Sequence, residues 1–226
     1  MRAFAEMIAP VRCVGCGAEG DELCARCATG VRALTPPWCR RCGTPQPAYT
    51  SSCPLCAGLE AFDSARSLVL FAEPARSLTL QLKRRGRRPL ADAVGELLAL
   101  LALREGGLTP ATRVTWVPGG RTTRRVGFDH AALIAQAIAR FADAATHALL
   151  TRAHDGPRQA DVPLAQRRTN VADRFVGRPT AGRVLLVDDV YTTGSTAEAC
   201  ARALKNAGAE RVDVITWART PRLRPV

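Results

Sequence analysis

Lysine is almost missing from this chain of 226 residues, because 30 of its 32 basic residues are arginine and only Lys83 and Lys205 are not. Long hydrophobic runs are missing as well, since the longest, residues 97–103, is too short to span a bilayer. The first residues lack the apolar region of a signal peptide, which Glu6 and Pro10 would interrupt. The sequence therefore predicts a cytoplasmic protein that does not insert into a membrane.

Aromatic residues make up only 5% of the chain, and Trp38, Trp116 and Trp217 are isolated from one another. The sequence therefore lacks the stripe of aromatic and basic residues on which single-stranded nucleic acid stacks. Two nucleotide-binding loops are missing too, because neither the Walker A pattern nor GxGxxG occurs. These absences exclude the P-loop and classical dinucleotide-binding classes.

Positive charge, by contrast, is present in excess, with a formal net charge of +12. Residues 1–60 carry six basic and five acidic residues, whereas residues 61–226 carry 26 and 15, a net charge of +11. Such a field suits a polyanion, either a nucleic acid or a highly phosphorylated small molecule. The alternative is an arginine-rich surface of solvated charges, since net charge alone does not define a site.

Cysteine is the second excess, with nine residues in the chain. Eight of them form four CxxC pairs, which are Cys13/Cys16, Cys24/Cys27, Cys39/Cys42 and Cys53/Cys56. Two thiolates at this spacing chelate one ion from a tight turn, and two such pairs complete a tetrahedral site, so Zn²⁺ is the expected metal. A disulfide framework is disfavoured in a reducing cytoplasm, and thioredoxin-like redox chemistry normally uses a single pair.

The four pairs predict a Cys-rich zinc-binding module over residues 1–60, followed by a larger domain over residues 61–226. A structural role for the metal is expected, because four thiolates leave no open position on the ion. Three arrangements stay open: two zinc ions with sequential pairing, two with crosswise pairing, or one zinc site beside a degenerate remnant. The ninth cysteine, Cys200, lies on the apolar face of a predicted helix and is expected to be buried.

The larger domain alternates predicted strands and helices. Strands are expected at residues 67–72, 114–117, 148–151, 183–187 and 212–216. Helices are expected at residues 75–85, 90–104, 129–141 and 195–207. This alternation predicts an α/β fold with a Rossmann-like parallel sheet and helices on its faces. Residues 154–175 are polar and arginine-rich, and no buried element is expected there.

The most specific pattern spans residues 184–196. Four apolar residues predict a central strand, and Asp188 and Asp189 follow at its carboxyl end, where open α/β sheets bind ligands. A hydroxyl-rich loop containing Gly194 leads from there into a helix, whose N-terminus and backbone N–H groups suit a phosphate dianion. Because carboxylates repel phosphate, the two aspartates are expected to meet a sugar diol. The alternative is an ordinary strand end followed by a helix cap.

Residues 184–196 resemble the 5-phosphoribosyl-1-pyrophosphate (PRPP) motif of type I phosphoribosyltransferases. The whole chain is similar to the competence protein F (ComF) family, which is linked to DNA uptake in bacteria. The wider resemblance rests on the CxxC pairs, residues 82–87, Val117-Pro118, Arg125 with Gly127-Phe128, and residues 167–170. It implies that the larger domain has the type I phosphoribosyltransferase fold and binds PRPP together with Mg²⁺.

The resemblance also implies roles for individual residues. Asp188 and Asp189 would contact the ribose hydroxyls and form the catalytic pair. The PRPP-binding set would comprise Asp188, Asp189, Val190, Tyr191, Thr192, Thr193, Gly194, Ser195 and Thr196, with Gly119 and Arg121 of a pyrophosphate loop. Residues 154–175 would form a flap over the site. Arginines of this flap that are candidates for binding the diphosphate are Arg158, Arg167 and Arg168.

Two functions follow, ahead of a purely structural zinc protein, which would leave residues 184–196 unexplained. One departure from the family pattern bears on catalysis more than on PRPP binding. Asp129 and His130 stand where the family usually has Asn and Gln, so whatever those amides recognise is expected to change. The first function is a phosphoribosyltransferase that displaces pyrophosphate from ribose C1 with an unidentified nitrogen acceptor, through positioning and charge neutralisation. The second is a non-catalytic adaptor in natural transformation, which binds PRPP, single-stranded DNA or DNA-uptake proteins.

Overall fold

The computed structural model describes residues 12–13, 15–21, 24–85, 88–120, 127–153 and 174–221. Outside them lie several residues singled out above, namely Arg121, Arg125, Arg158, Arg167 and Arg168. The helices are α1 (Ala25–Thr29), α2 (Ala75–Arg85), α3 (Arg88–Arg104), α4 (His130–Phe141) and α5 (Ser195–Asn206). The strands are β1 (Ser64–Leu70), β2 (Arg113–Trp116), β3 (Ala145–Thr146), β4 (Leu150–Arg152), β5 (Phe175–Gly177), β6 (Arg183–Tyr191) and β7 (Arg211–Arg219).

Five strands form one parallel sheet in the order β1–β7–β6–β2–β3. The central strand β6 pairs with β7 along its length and with β2 over residues 184–187. Central parallel strands are covered on both faces, which explains why residues 184–187 of β6 are apolar and why residues 212–219 of β7 are all buried. The predicted Rossmann-like α/β sheet is therefore confirmed.

Side chains of β6 alternate between two hydrophobic cores, one on each face of the sheet. Leu185 and Val187 face the core that contains residues of α2, α3 and α4. Val184 and Leu186 face the core that contains residues of α5 and of the segment before β1. All four side chains are at most 1% exposed, so the strand that carries the two aspartates is fixed from both sides.

The helices pack closely on this sheet. An added Cβ on Gly95 of α3 would lie 2.3 Å from the Cβ of Ala137 in α4, so only glycine permits this approach between the two helices. Cys200 of α5 is fully buried, as predicted. No helix in the described part of the chain has the length and apolar character needed to cross a membrane.

Strand β5 corrects the prediction for residues 154–175 at its last residue, Phe175, whereas residues 154–173 of the predicted flap lie outside the described residues. Phe175 begins this strand and is buried at 6% exposure, although no buried element was expected there. β5 pairs antiparallel with β4, in the register Arg152 with Phe175 and Leu150 with Gly177. The prediction was wrong because two apolar residues are too few to show a strand whose partner lies more than twenty residues earlier. The strand predicted at residues 148–151 corresponds to β4 at residues 150–152, and the short strand β3 at residues 145–146 was not predicted.

The Cys-rich segment packs against the outer edge of β1. The Leu34 N–H donates to the Leu68 oxygen at 2.8 Å, and the Leu70 N–H donates to the Arg32 oxygen at 2.8 Å. Gly43, with φ of +70°, comes so close that an added Cβ would lie 2.4 Å from a carbonyl oxygen of β1. The edge of the sheet and the cysteine-rich turns are therefore in direct backbone contact.

Candidate functional site

Two groups of four cysteines bring their sulfur atoms together. The first cluster is Cys13, Cys16, Cys24 and Cys27, the second is Cys39, Cys42, Cys53 and Cys56, and within each the sulfurs lie within 4.8 Å of one another. Measured Sγ–Sγ distances include 3.7 Å for Cys16–Cys24, 3.8 Å for Cys39–Cys56 and 3.6 Å for Cys42–Cys53. Tetrahedral thiolates at about 2.3 Å from Zn²⁺ are about 3.8 Å apart. Both clusters therefore fit a structural zinc ion, and the CxxC pairs combine sequentially.

The two clusters differ in their surroundings. All four cysteines of the second cluster are buried, whereas Cys16 of the first is exposed and Cys24 and Cys27 are half-buried. In the first cluster the Cys24 N–H donates to Cys13 Sγ at 3.4 Å, and this contact lowers the pKa of Cys13 to about 6. A thiolate is the form that binds zinc. Because all four of its cysteines are buried, the second cluster is the better shielded from solvent of the two.

Strand β6 carries two carboxylates with different surroundings near its carboxyl end. Asp189 is 5% exposed, and its Oδ2 lies 2.6 Å from Lys83 Nζ and 3.0 Å from His130 Nε2. Burial alone would raise the pKa of Asp189, but the hydrogen bond from His130 and the Lys83 charge lower it to about 2. Burial and the neighbouring Asp189 charge raise the pKa of Asp188 to about 7. Asp189 is therefore ionised at neutral pH, while Asp188 is close to its titration point.

The loop that follows, residues 192–196, is called the phosphate loop here. Its Gly194 is the N-cap of α5 with φ of 84°, a left-handed conformation that favours glycine. An added Cβ there would also lie 2.3 Å from Tyr191 Oη and 2.7 Å from Leu59 Cδ1. Thr192, Thr193, Ser195 and Thr196 are exposed, so four hydroxyl groups surround the open N-terminus of the helix. Hydroxyl groups beside the N–H groups of a helix start suit a phosphate.

A second loop, residues 117–120, faces the phosphate loop from the end of β2. The Gly119 N–H donates to Asp129 Oδ2 at 2.9 Å. The other carboxylate oxygen of Asp129 accepts from the Ala131 and Ala132 N–H groups, which caps α4. An amide has only one acceptor oxygen, so an aspartate at this position can anchor the loop and cap the helix at once.

A cleft of about 370 Å³ lies between these two loops. Its lining residues are Lys83, Val117, Pro118, Gly119, Gly120, His130, Arg152, Asp188 and Thr196. Of the predicted PRPP-binding set, the structure thus brings together Asp188, Gly119 and Thr196 on one cleft. A smaller cavity of about 20 Å³ is instead lined by Val190, Tyr191, Thr192 and Gly194, together with Asp188 and Thr196, which line both. Arg121, which was predicted to bind pyrophosphate, lies outside the described residues.

Three basic residues of the cleft were missing from the predicted set. Lys83 comes from α2, His130 from the start of α4, and Arg152 from β4. Arg152 is fixed by its Nε, which donates to the Pro118 oxygen at 2.9 Å, and by the Phe175 ring, whose centroid lies 4.9 Å from its guanidinium. In the sequence, Lys83 stands out only as one of two lysines and as part of residues 82–87. These three side chains and Asp188 line the same cleft at the carboxyl edge of the sheet.

Comparison with known protein families divides the chain into two matches. The double zinc ribbon domain matches residues 4–58, and the phosphoribosyl transferase domain matches residues 131–225. Among solved structures, the glutamine PRPP amidotransferase of B. subtilis aligns with 61% of this chain and 30% of its own length. Its TM-score of 0.42 and its 20% identity are too low to support a functional conclusion.

Curated relatives match almost the whole chain. The DNA utilization protein YhgH of Salmonella typhimurium is 31% identical over 206 residues, which cover 88% of this chain and 90% of the relative. The protein of the same name from Escherichia coli O157:H7 is 32% identical over 209 residues, covering 88% and 89%. Competence protein F of Haemophilus influenzae is 27% identical over 225 residues, covering 92% and 96%. A double zinc ribbon, a phosphoribosyltransferase domain and these relatives together show that the chain belongs to the ComF family.

Proposed function

We propose that the chain binds PRPP in the cleft between residues 117–120 and the phosphate loop. One observation carries the proposal: the carboxylate pair, Gly194 and the hydroxyl-lined start of α5 follow one another at the carboxyl edge of a parallel sheet. In this pose the 5-phosphate lies at the helix start and the ribose diol at Asp188 and Asp189. The diphosphate then lies among the cations of the opposite wall, Lys83 and Arg152.

Magnesium belongs to the same proposal. In sites of this kind Mg²⁺ is bound mainly by substrate phosphates and water, with one or two carboxylates. Asp188 is the carboxylate on the cleft wall that would complete this set, since Asp189 is already paired with Lys83 and His130. When bound, the ion neutralises charge on the diphosphate. A cation at this position favours the ionised form of Asp188.

The reaction that this site supports is transfer of phosphoribose to a nitrogen acceptor. The acceptor nitrogen forms a bond to ribose C1, the bond from C1 to the diphosphate oxygen breaks, and pyrophosphate leaves with the electron pair. The acceptor then loses its proton to solvent. The protein contributes by orienting the ribose through Asp188 and Asp189 and by neutralising the leaving group through Lys83 and Arg152.

A cytoplasmic location fits the eight thiolate ligands, which need a reducing compartment.

The second candidate function is a non-catalytic adaptor that binds PRPP or single-stranded DNA and contacts DNA-uptake proteins. It is favoured by the net charge of +11 on residues 61–226 and by relatives named for DNA utilization and competence. Single-strand binding through this charge would weaken steeply as salt rises, because counterions are released on binding. Titration of a labelled oligonucleotide at several salt concentrations distinguishes the two candidates, since the transferase does not require DNA.

The test of PRPP binding is calorimetric titration of the zinc-loaded chain with PRPP in the presence of Mg²⁺. We expect saturable binding by the wild type and loss of at least about tenfold in affinity for Asp188→Asn/Asp189→Asn, since two charge-assisted contacts disappear. The matched control is Asp92→Asn, which removes an exposed carboxylate that pairs with Arg140 outside the cleft. Absence of PRPP binding by folded wild type would overturn the proposal. Pyrophosphate release on adding nucleobases or amines then tests transfer.

A further inference from the structure

Arg219 joins the second cysteine cluster to the phosphate loop. It lies at the end of β7 with only 4% exposure. Its Nη2 donates to the Cys42 oxygen, and its Nη1 donates to Thr44 Oγ1 at 2.9 Å. On the other side, its guanidinium lies 4.2 Å from the centroid of the Tyr191 ring. Tyr191 immediately precedes the phosphate loop, so one buried side chain contacts both sites.

A second connection runs through the segment that follows the last zinc ligand. The Leu59 N–H donates to the Cys56 oxygen at 3.1 Å, and the Leu59 side chain packs against Gly194. The Ala61 N–H donates to both carboxylate oxygens of Glu198, at 3.1 and 3.0 Å, in the first turn of α5. The buried turn of the second cluster and the start of the phosphate-binding helix are therefore in contact over several residues.

Phe62 completes this packing. Its ring meets the Tyr191 ring edge-on, with centroids 6.4 Å apart and an interplanar angle of 87°. Arg41, which lies between the two cysteines of one CxxC pair, donates to the Leu59 and Phe62 oxygens at 3.2 and 3.4 Å. Because closely packed interiors transmit small displacements, a shift of the zinc turn displaces Tyr191 and the loop after it.

We propose that Arg219 is a positioning residue through which zinc binding at the second cluster and ligand binding at the phosphate loop strengthen each other. The coupling is reciprocal, because two sites linked through one arrangement of the protein must favour each other equally. The first cluster contacts a different element: an added Cβ on its Gly15 would lie 3.1 Å from Pro74, just before α2. The identity of the ligand rests on the proposed function, but the contact between the sites does not.

The first experiment needs no ligand. In the full chain, hydrogen–deuterium exchange of residues 191–196 is measured with both zinc ions present, after selective loss of the first-cluster ion, and in Arg219→Gln. The variant Cys16→Ser/Cys24→Ser removes the first ion and leaves the second cluster complete. We expect faster exchange of residues 191–196 in Arg219→Gln with both ions retained, and unchanged exchange in the first-cluster variant. Unchanged exchange in Arg219→Gln would overturn the coupling.

The second experiment measures zinc release to a chromogenic chelator with and without PRPP and Mg²⁺. In Cys16→Ser/Cys24→Ser the only measured release comes from the second cluster, and we expect PRPP to slow it by about fivefold or more, the lower range of coupling between sites. Adding Arg219→Gln should abolish this protection. The control Arg211→Gln, at the opposite end of β7 where Arg211 pairs with Asp213, should preserve it.

The outcomes separate the two proposals. Faster exchange in Arg219→Gln without any PRPP binding by the wild type would refute the proposed ligand and leave in place only the contact between the zinc turn and residues 191–196. PRPP binding that protects the second-cluster zinc equally well in Arg219→Gln would refute the coupling and leave the ligand in place. A merely structural Arg219 would lower the melting temperature without changing the ratio of release rates, so this ratio is the deciding measurement.

Discussion

Replacing Gly194 with alanine tests the geometry of the phosphate loop most directly. Gly194 has φ of 84°, which costs an L-residue about 1–2 kcal/mol relative to glycine. The added Cβ would also lie 2.3 Å from Tyr191 Oη and 2.7 Å from Leu59 Cδ1, both parts of buried or half-buried side chains. Overpacking of this kind costs about 1–3 kcal/mol. We therefore expect Gly194→Ala to lower the free energy of unfolding by about 2–5 kcal/mol.

A matched control separates the two costs. Gly182 also has a positive φ, +69°, but an added Cβ there meets nothing within 4 Å. Gly182→Ala should therefore show only the backbone cost of about 1–2 kcal/mol. For a chain of this size each kcal/mol corresponds to about 2–4 °C in melting temperature, so thermal unfolding of zinc-loaded protein resolves the difference.

A Gly194→Ala variant that is no less stable than Gly182→Ala would contradict this expectation. Such a result would mean that Tyr191 and Leu59 move aside without cost, and that the loop is not held against the zinc turn. PRPP titration of the same two variants adds a second readout. We expect Gly194→Ala to lose affinity because the loop backbone shifts, whereas Gly182, which precedes the far end of β6, should not affect it.

Other predictions concern the charges of the cleft. Lys83→Met should weaken PRPP binding by at least about tenfold, because one charged contact is lost. The control is Lys205→Met, which should not weaken it, since Lys205 pairs with Asp63. Equal PRPP affinities of the two variants would contradict the role of Lys83 in the cleft. Because the pKa of Asp188 is raised from 3.8 to about 7, folding keeps its proton longer, so the wild type should lose stability relative to Asp188→Asn as pH rises through this window. If the difference in free energy of unfolding between wild type and Asp188→Asn stays constant between about pH 5 and pH 8, this pKa shift is excluded. Asp129→Asn should cost about 1 kcal/mol in denaturant unfolding, because a single acceptor oxygen cannot serve both Gly119 and α4; unchanged stability would contradict the double role.

Much of the fold was predictable because its elements are strongly patterned. The predicted helices at residues 75–85, 129–141 and 195–207 agree with α2, α4 and α5 to within one residue at each end. Strand lengths were less accurate, since β6 continues past Val187 through the two aspartates to Tyr191. Charged residues within a strand carry no apolar pattern, so only pairing with β7 extends it. The division of the chain at residue 60 stays a prediction.

The candidate site was predictable where its residues are contiguous in sequence and not where they converge from distant elements. Residues 188–196 form one motif, so their common location follows from the chain. Lys83 and His130 contact Asp189 only because α2 ends, and α4 begins, at the carboxyl edge of the sheet. No spacing in the sequence indicates that meeting. Sequential pairing of the zinc ligands is likewise a result of folding, since sequence permits both pairings.

The cysteine-rich segment also covers a surface that parallel sheets rarely leave open. β1 is an edge strand, and edge strands offer unpaired N–H and C=O groups to other chains. Here Leu34 and Arg32 occupy such groups on Leu68 and Leu70, so the segment between the two cysteine clusters covers this edge against edge-to-edge aggregation. A phosphoribosyltransferase domain separated from this cover would expose a seven-residue strand with an apolar end. The same backbone contacts that attach the cysteine-rich segment to the domain therefore also protect the edge of the sheet from other chains.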